Sequence, residues 1–176
     1  MDVVRWCGSS AAAKRLASLL RHCGIGSLLV SGEMISPDHR VDVLLLCGDL
    51  PMEQSQPSLL VLAGEDRGDP PPALRPEGVR MALVESSDTA SLQALAGSGI
   101  PAVTVGFSES DSISYSSLAE EGCCVSINRP FETARGTVLM EQEIPLSCAR
   151  AGVEELFLVA AALYLGAGPE ELTALD

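Results

Sequence analysis

Aromatic side chains are scarce in this chain of 176 residues, which carries one tryptophan, two tyrosines and three phenylalanines. Bulky aromatics anchor most protein interfaces, and six of them leave no obvious patch. Positive charge is scarce as well: Lys14 is the single lysine, and lysine plus arginine total 11 against 24 acidic residues, for a formal net charge of −13. That balance argues against nucleic acid, whose phosphates would be repelled, and against anionic membrane surfaces. Acidity alone favours solubility and selects no partner. Long apolar runs are missing: the most apolar stretch, residues 156–165, falls well short of the roughly 20 residues a spanning helix needs. Residues 1–10 have no basic start leading into an apolar run, so no secretory signal is read. Two histidines, His22 and His39, and six cysteines without a C-x-x-C pair support neither zinc nor a disulfide framework. The expectation is a cytoplasmic protein with buried thiols, no metal and no cofactor.

What is present begins at the amino terminus. Residues 3–7 (VVRWC) form a short apolar strand, Gly8, Ser9 and Ser10 a loop of small residues, and residues 11–22 a helix with Leu16, Leu19 and Leu20 at helical spacing. Gly24 and Gly26 close the helix, and residues 27–31 (SLLVS) start a second strand. A loop between a strand and a helix N-terminus suits phosphate, because unpaired N–H groups and the positive helix end point to one place. Gly8, Ser9 and Ser10 are therefore candidates for weak nucleotide or phosphate binding. The strong form of such a loop, G-x-x-x-x-G-K-[ST], adds a lysine for the terminal phosphates and a hydroxyl for magnesium. In register, Ala11 stands at the glycine, Ala12 at the lysine and Ala13 at the hydroxyl. Lys14 comes two residues late, a rotation of about 200° around the helix. On this reading, Ala11→Gly with Ala12→Lys and Ala13→Thr should restore some phosphate affinity but not ligation.

Further along, residues 32–40 read as a polar connection and VDVLLLCGD (41–49) as a strand buried on both faces. Ligands in open parallel sheets sit at the strands' carboxyl ends, which makes Asp49 a candidate site residue. LLVLA (59–63) is another buried strand; Glu65, Asp66 and Asp69 after it could join Asp49 at a metal. RGDPPPALRPEG (67–78) reads as a stiff surface excursion. Residues 81–106 form a second βαβ unit: strand 81–85, a helix 88–96 capped by Ser86 or Ser87, and strand 102–106. Asp88 is a further candidate. Residues 112–147 alternate and break as an antiparallel meander does, with Ile113, Tyr115 and Leu118 on its buried side. Residues 153–176 give an apolar helix, a Gly-Ala-Gly-Pro stop and the start of another helix.

The fold class expected is α/β: a Rossmann-like, P-loop-type three-layer core with a mostly parallel sheet and a small antiparallel section in the C-terminal half, all in one domain over 1–176. Four stretches, RWCGSSAAAKRLASLLRHCG, MALVESSDTASLQALA, IPAVTVGFSESDSISY and FLVAAALYLGAGPEEL, together resemble the central ATP-binding domain of the Mur ligases and folylpolyglutamate synthetases. The resemblance implies a bacterial protein related to cell-wall chemistry. It also aligns the three alanines with that family's P-loop, Glu85 with the asparagine and Asp88 with the last aspartate of its Asn-x-Asp-Asp, and Arg150 and Ala151 with its His-Asn. The family's magnesium-holding glutamate and histidine have no counterpart, and its flanking substrate domains are not matched.

Three functions follow as expectations. The first is a non-catalytic relative that binds a protein partner, itself, or a ligand, and is not an ATP-dependent ligase. The second is a small enzyme using Asp49, Glu65 or Asp88 at the sheet edge, or a nucleotide-binding protein without ligase activity. The third is a Rossmann-like domain sharing topology alone, which strand order distinguishes from the first.

Overall fold

Strand β1 (Asp2–Cys7) lies inside a ten-stranded sheet, between β4 (Val43–Cys47) and β5 (Leu59–Leu62). In the computed structural model, residues 1–31, 34–37, 41–47, 58–63, 78–119, 122–147 and 151–173 are described. On one side of β1 come β4 (Val43–Cys47), β2 (Ser27–Ser31) and β3 (Met34–Pro37). On the other come β5 (Leu59–Leu62), β6 (Met81–Glu85), β7 (Ala102–Val105), β8 (Ile113–Ala119), β9 (Gly122–Ile127) and β12 (Gln142–Leu146). The seven strands from β2 to β8 pair in parallel, and antiparallel strands flank them: β3 on one edge, β9 and β12 on the other. Strands β10 (Phe131–Glu132) and β11 (Val138–Leu139) form a separate hairpin.

Alternation within the strands feeds two cores. In β5, Leu59 and Val61 join the larger cluster while Leu60 and Leu62 join the smaller; in β6, Met81 and Leu83 part from Ala82 and Val84 in the same way. Opposite sides of a pleat must each be covered, so helices are required on both faces. Helix α1 (Ser10–His22) buries Ala12, Ala13, Leu16, Ala17, Leu19 and Leu20 beside α3 (Val153–Tyr164), which is buried from Leu156 to Tyr164. Helix α2 (Thr89–Ser98) covers the smaller core through Leu95. The result is the three-layer, mostly parallel α/β architecture that the sequence implies.

Several local expectations are corrected. Residues 34–37 make an edge strand rather than a plain connection; Ser31 pairs with Met34, leaving the sequence Gly-Glu between the two strands, a hairpin signal. An edge tolerates Pro37. Strand β4 is fully buried on one face only: Leu44 and Leu46 stay partly exposed between Val43, Leu45 and Cys47. Leu118 is 57% exposed, because the register of β8 against β9 shifts between Tyr115 and Ser117 and turns the following side chains outward. After α3 the chain makes a single 3-10 turn, Pro169–Leu172, where the sequence suggests a new helix.

Candidate functional site

Parallel strands deliver their carboxyl ends to one edge, and Gly8, Ser9, Cys47, Ala63 and the segment 85–88 gather there. Each has a structural role. Gly8 is packed where a Cβ would fall 2.8 Å from the Ala63 carbonyl oxygen and 2.9 Å from Trp6 Nε1. Glycine is required by that close approach of β1 to β5. The indole of Trp6 is 1% exposed and its N–H finds no hydrogen-bond partner among the described residues, a cost the site carries.

Ser9 is the N-cap of α1, with its hydroxyl accepting the Ala12 N–H at 3.0 Å. The same hydroxyl donates to Glu154 Oε2 at 3.4 Å. Arg15, one turn into α1, holds Glu154 at 2.8 Å and Glu155 at 2.7 Å. Burial lowers the Arg15 pKa, but the carboxylates of Glu155 and Glu154 outweigh it and hold the guanidinium above its ordinary value. A carboxylate from α3 thus stands at the N-terminus of α1, where a phosphate would benefit from the same dipole. Ser10 is the first residue of the helix and exposed, one position earlier than the helix start read from sequence.

Ala12 and Ala13 are each 1% exposed, in the core under α1. This burial counts against the expectation that a lysine at 12 and a threonine at 13 would recover phosphate affinity. A lysine at 12 would carry its ammonium into apolar surroundings, and loss of the fold is the expected result. Lys14 is exposed.

Asp88 is the N-cap of α2, its carboxylate accepting the Ser91 N–H at 3.0 Å. The cap is Asp88, not Ser86 or Ser87; Ser87 instead donates to Glu85 Oε1 at 2.7 Å. An aspartate caps well because its oxygen reaches the N3 amide without competing apolar bulk. Asp49, Glu65, Asp66, Asp69, His39, Cys148 and Arg150 lie outside the described residues. Among the described residues no group of three histidine, cysteine or acidic side chains is placed to hold a metal. Burial pushes the Cys47 thiol up, against a smaller opposing pull from the Ser31 hydrogen bond and Arg5, so it is poorly disposed to act as a nucleophile.

The Arg15, Glu154 and Glu155 cluster is absent from the sequence reading. Two glutamates in the first turn of a helix are an ordinary dipole preference, and nothing local tells that Arg15, 139 residues earlier, meets them.

No family profile and no curated protein matches this chain. Solved structures do match in fold. The UDP-N-acetylmuramate:L-alanyl-gamma-D-glutamyl-meso-diaminopimelate ligase from Neisseria meningitides superposes with a TM-score of 0.62 at 13% identity, covering 100% of this chain and 65% of that one. A UDP-N-acetylmuramoyl-L-alanyl-D-glutamate–2,6-diaminopimelate ligase gives 0.65 at 9%, covering 98% and 45%. Folylpolyglutamate synthetase from Lactobacillus casei gives 0.55 at 12%, covering 99% and 62%. The chain spans about half to two thirds of the length of these neighbours, and at such identities the likeness is one of fold.

Proposed function

We propose that this chain is a non-catalytic Mur-ligase-like domain that acts by binding a protein partner or a second copy of itself, in a setting linked to cell-wall metabolism. The link comes from the names of two of its structural neighbours, which are ligases of UDP-N-acetylmuramate and UDP-N-acetylmuramoyl compounds. The observation that carries the non-catalytic reading is the turn after β1. Its Ser9 is engaged by a helix amide and by Glu154, and the positions for lysine and hydroxyl are buried alanines. Phosphoryl transfer rests on positioning and charge neutralisation. A turn without a lysine and with a carboxylate at the helix N-terminus supplies neither.

Thermal melting of the purified protein with ATP, ADP and UDP-linked cell-wall precursors, with and without magnesium, tests the reading, since any ligand of the native state raises the melting temperature. No magnesium-dependent shift with ATP is expected. Such a shift, or ATP turnover with an amino-acid acceptor, overturns it.

A further inference from the structure

At the opposite edge of the sheet, the amino ends of β6 and β7 and the hairpin segment 129–136 enclose a cleft of about 840 Å³. In a chain with a net charge of −13 and only 11 basic residues, this cleft is lined by three arginines, Arg80, Arg129 and Arg135, against one carboxylate, Glu132. Its floor is apolar: Met81, Val103 and Phe131 are each more than nine-tenths buried. Among the described residues none of the three guanidiniums is in an ion pair.

Hydrogen bonds tie the walls to the rest of the fold. Arg80 Nη1 donates to the Ala134 carbonyl at 3.3 Å, and Ala134 N–H donates to the Tyr164 carbonyl at 2.8 Å. Asn128, just before the hairpin, donates to the Asp111 carbonyl at 3.0 Å and to Ser114 Oγ at 2.8 Å. Arg135 packs against Gly166, where a Cβ would fall 2.7 Å from Nε, so glycine there makes room for the arginine. A planar guanidinium presents a rigid fork of donors to phosphate or carboxylate oxygens.

We propose that the cleft formed by Arg80, Arg129 and Arg135 over Phe131 is a binding site for a small polyanion bearing phosphate or carboxylate groups. Its volume suits a ligand of metabolite size. The site is separate from the turn after β1 and does not depend on the reading given to that turn.

The experiment titrates the protein at low ionic strength with inorganic pyrophosphate and, separately, with citrate, following heat release and melting temperature. Both probes have the required charge, and the two arms distinguish phosphate from carboxylate preference. Arg129→Glu removes a cleft charge at an exposed position and is expected to weaken binding by about tenfold or more. Lys14→Glu makes the same change in net charge on α1, outside the cleft lining, and should leave affinity within about twofold when the variants are compared again at about 0.15 M salt, where the screening length is about 8 Å. Salt is expected to weaken binding of either probe. Failure of both probes to bind overturns the proposal, as does binding that Arg129→Glu leaves intact or that Lys14→Glu weakens equally. ATP added to the same panel separates the two sites. Binding lost in Arg129→Glu belongs to the cleft, whereas magnesium-dependent binding indifferent to that change belongs to the turn after β1.

Discussion

Gly8, Asp88 and Cys23 show how far a single residue's meaning depends on what surrounds it. A glycine after a first strand reads as part of a phosphate loop, yet here Gly8 lets β1 and β5 approach. Gly8→Ala would drive its Cβ against a backbone carbonyl and a buried indole, neither free to yield, at a cost of about 1–3 kcal/mol. Chemical denaturation should show a lower midpoint with an unchanged slope; an unaltered midpoint would mean the loop is open. Asp88→Ala removes the cap of α2 and is expected to cost about 1 kcal/mol while leaving pyrophosphate and citrate titrations as they were. Loss of anion binding with no loss of stability would make Asp88 a site residue. Cys23 is 8% exposed, and its thiol is pushed up to about 11, first by burial and then by Glu171. A raised folded-state value means that the folded state keeps the proton longer than the unfolded chain. The stability contribution is therefore intact below about pH 9 and fades as pH rises toward about 11. Cys23→Ala should flatten the alkaline fall in melting temperature over that window, and an identical fall in both proteins would refute the assignment.

Among the elements, those whose signals are local were legible in the sequence and those that depend on distant partners were not. The residues of β1, β2, β5 and β6 announce themselves as short apolar runs between turn residues, and α1 as a helix with leucines on one face. The exposure of Leu118 follows from a register shift against β9, a property of the pair and not of β8 alone. The edge role of β3 likewise needs β2, with which it shares the register Val30 to Ile35. The candidate site shows the same division. That alanines, and no lysine, follow the turn is plain in the sequence, whereas the carboxylate at the N-terminus of α1 arrives from a helix more than a hundred residues away. Because Arg15 and Glu154 are both about half exposed, Glu154→Ala is expected to change stability by no more than about 1 kcal/mol. Equilibrium unfolding checks it. A larger loss would mean that the contact between α1 and α3 is held by charge more than by packed leucines and alanines.

Across the whole molecule, burial is distributed unevenly, and protection against local opening should follow it. Strands β5 and β6 pass through the sheet centre with both faces covered, and α3 is buried along nine successive residues. By contrast α2 buries only Ser91 and Leu95, and the β10–β11 hairpin has two residue pairs. Amides open at free energies set by the apolar contacts that must be broken with them. Native-state hydrogen exchange should therefore find the amides of β5, β6 and α3 exchanging close to the global unfolding limit, and those of α2 and the hairpin well before it. A polyanion seated in the arginine cleft bears on one wall of this gradient, since Arg129 and Arg135 belong to the hairpin segment. Pyrophosphate or citrate should slow exchange in the hairpin and at the start of β6 while leaving α2 unchanged. Equal slowing in α2, on the other face of the sheet, would point to general stabilisation by salt and away from an occupied cleft.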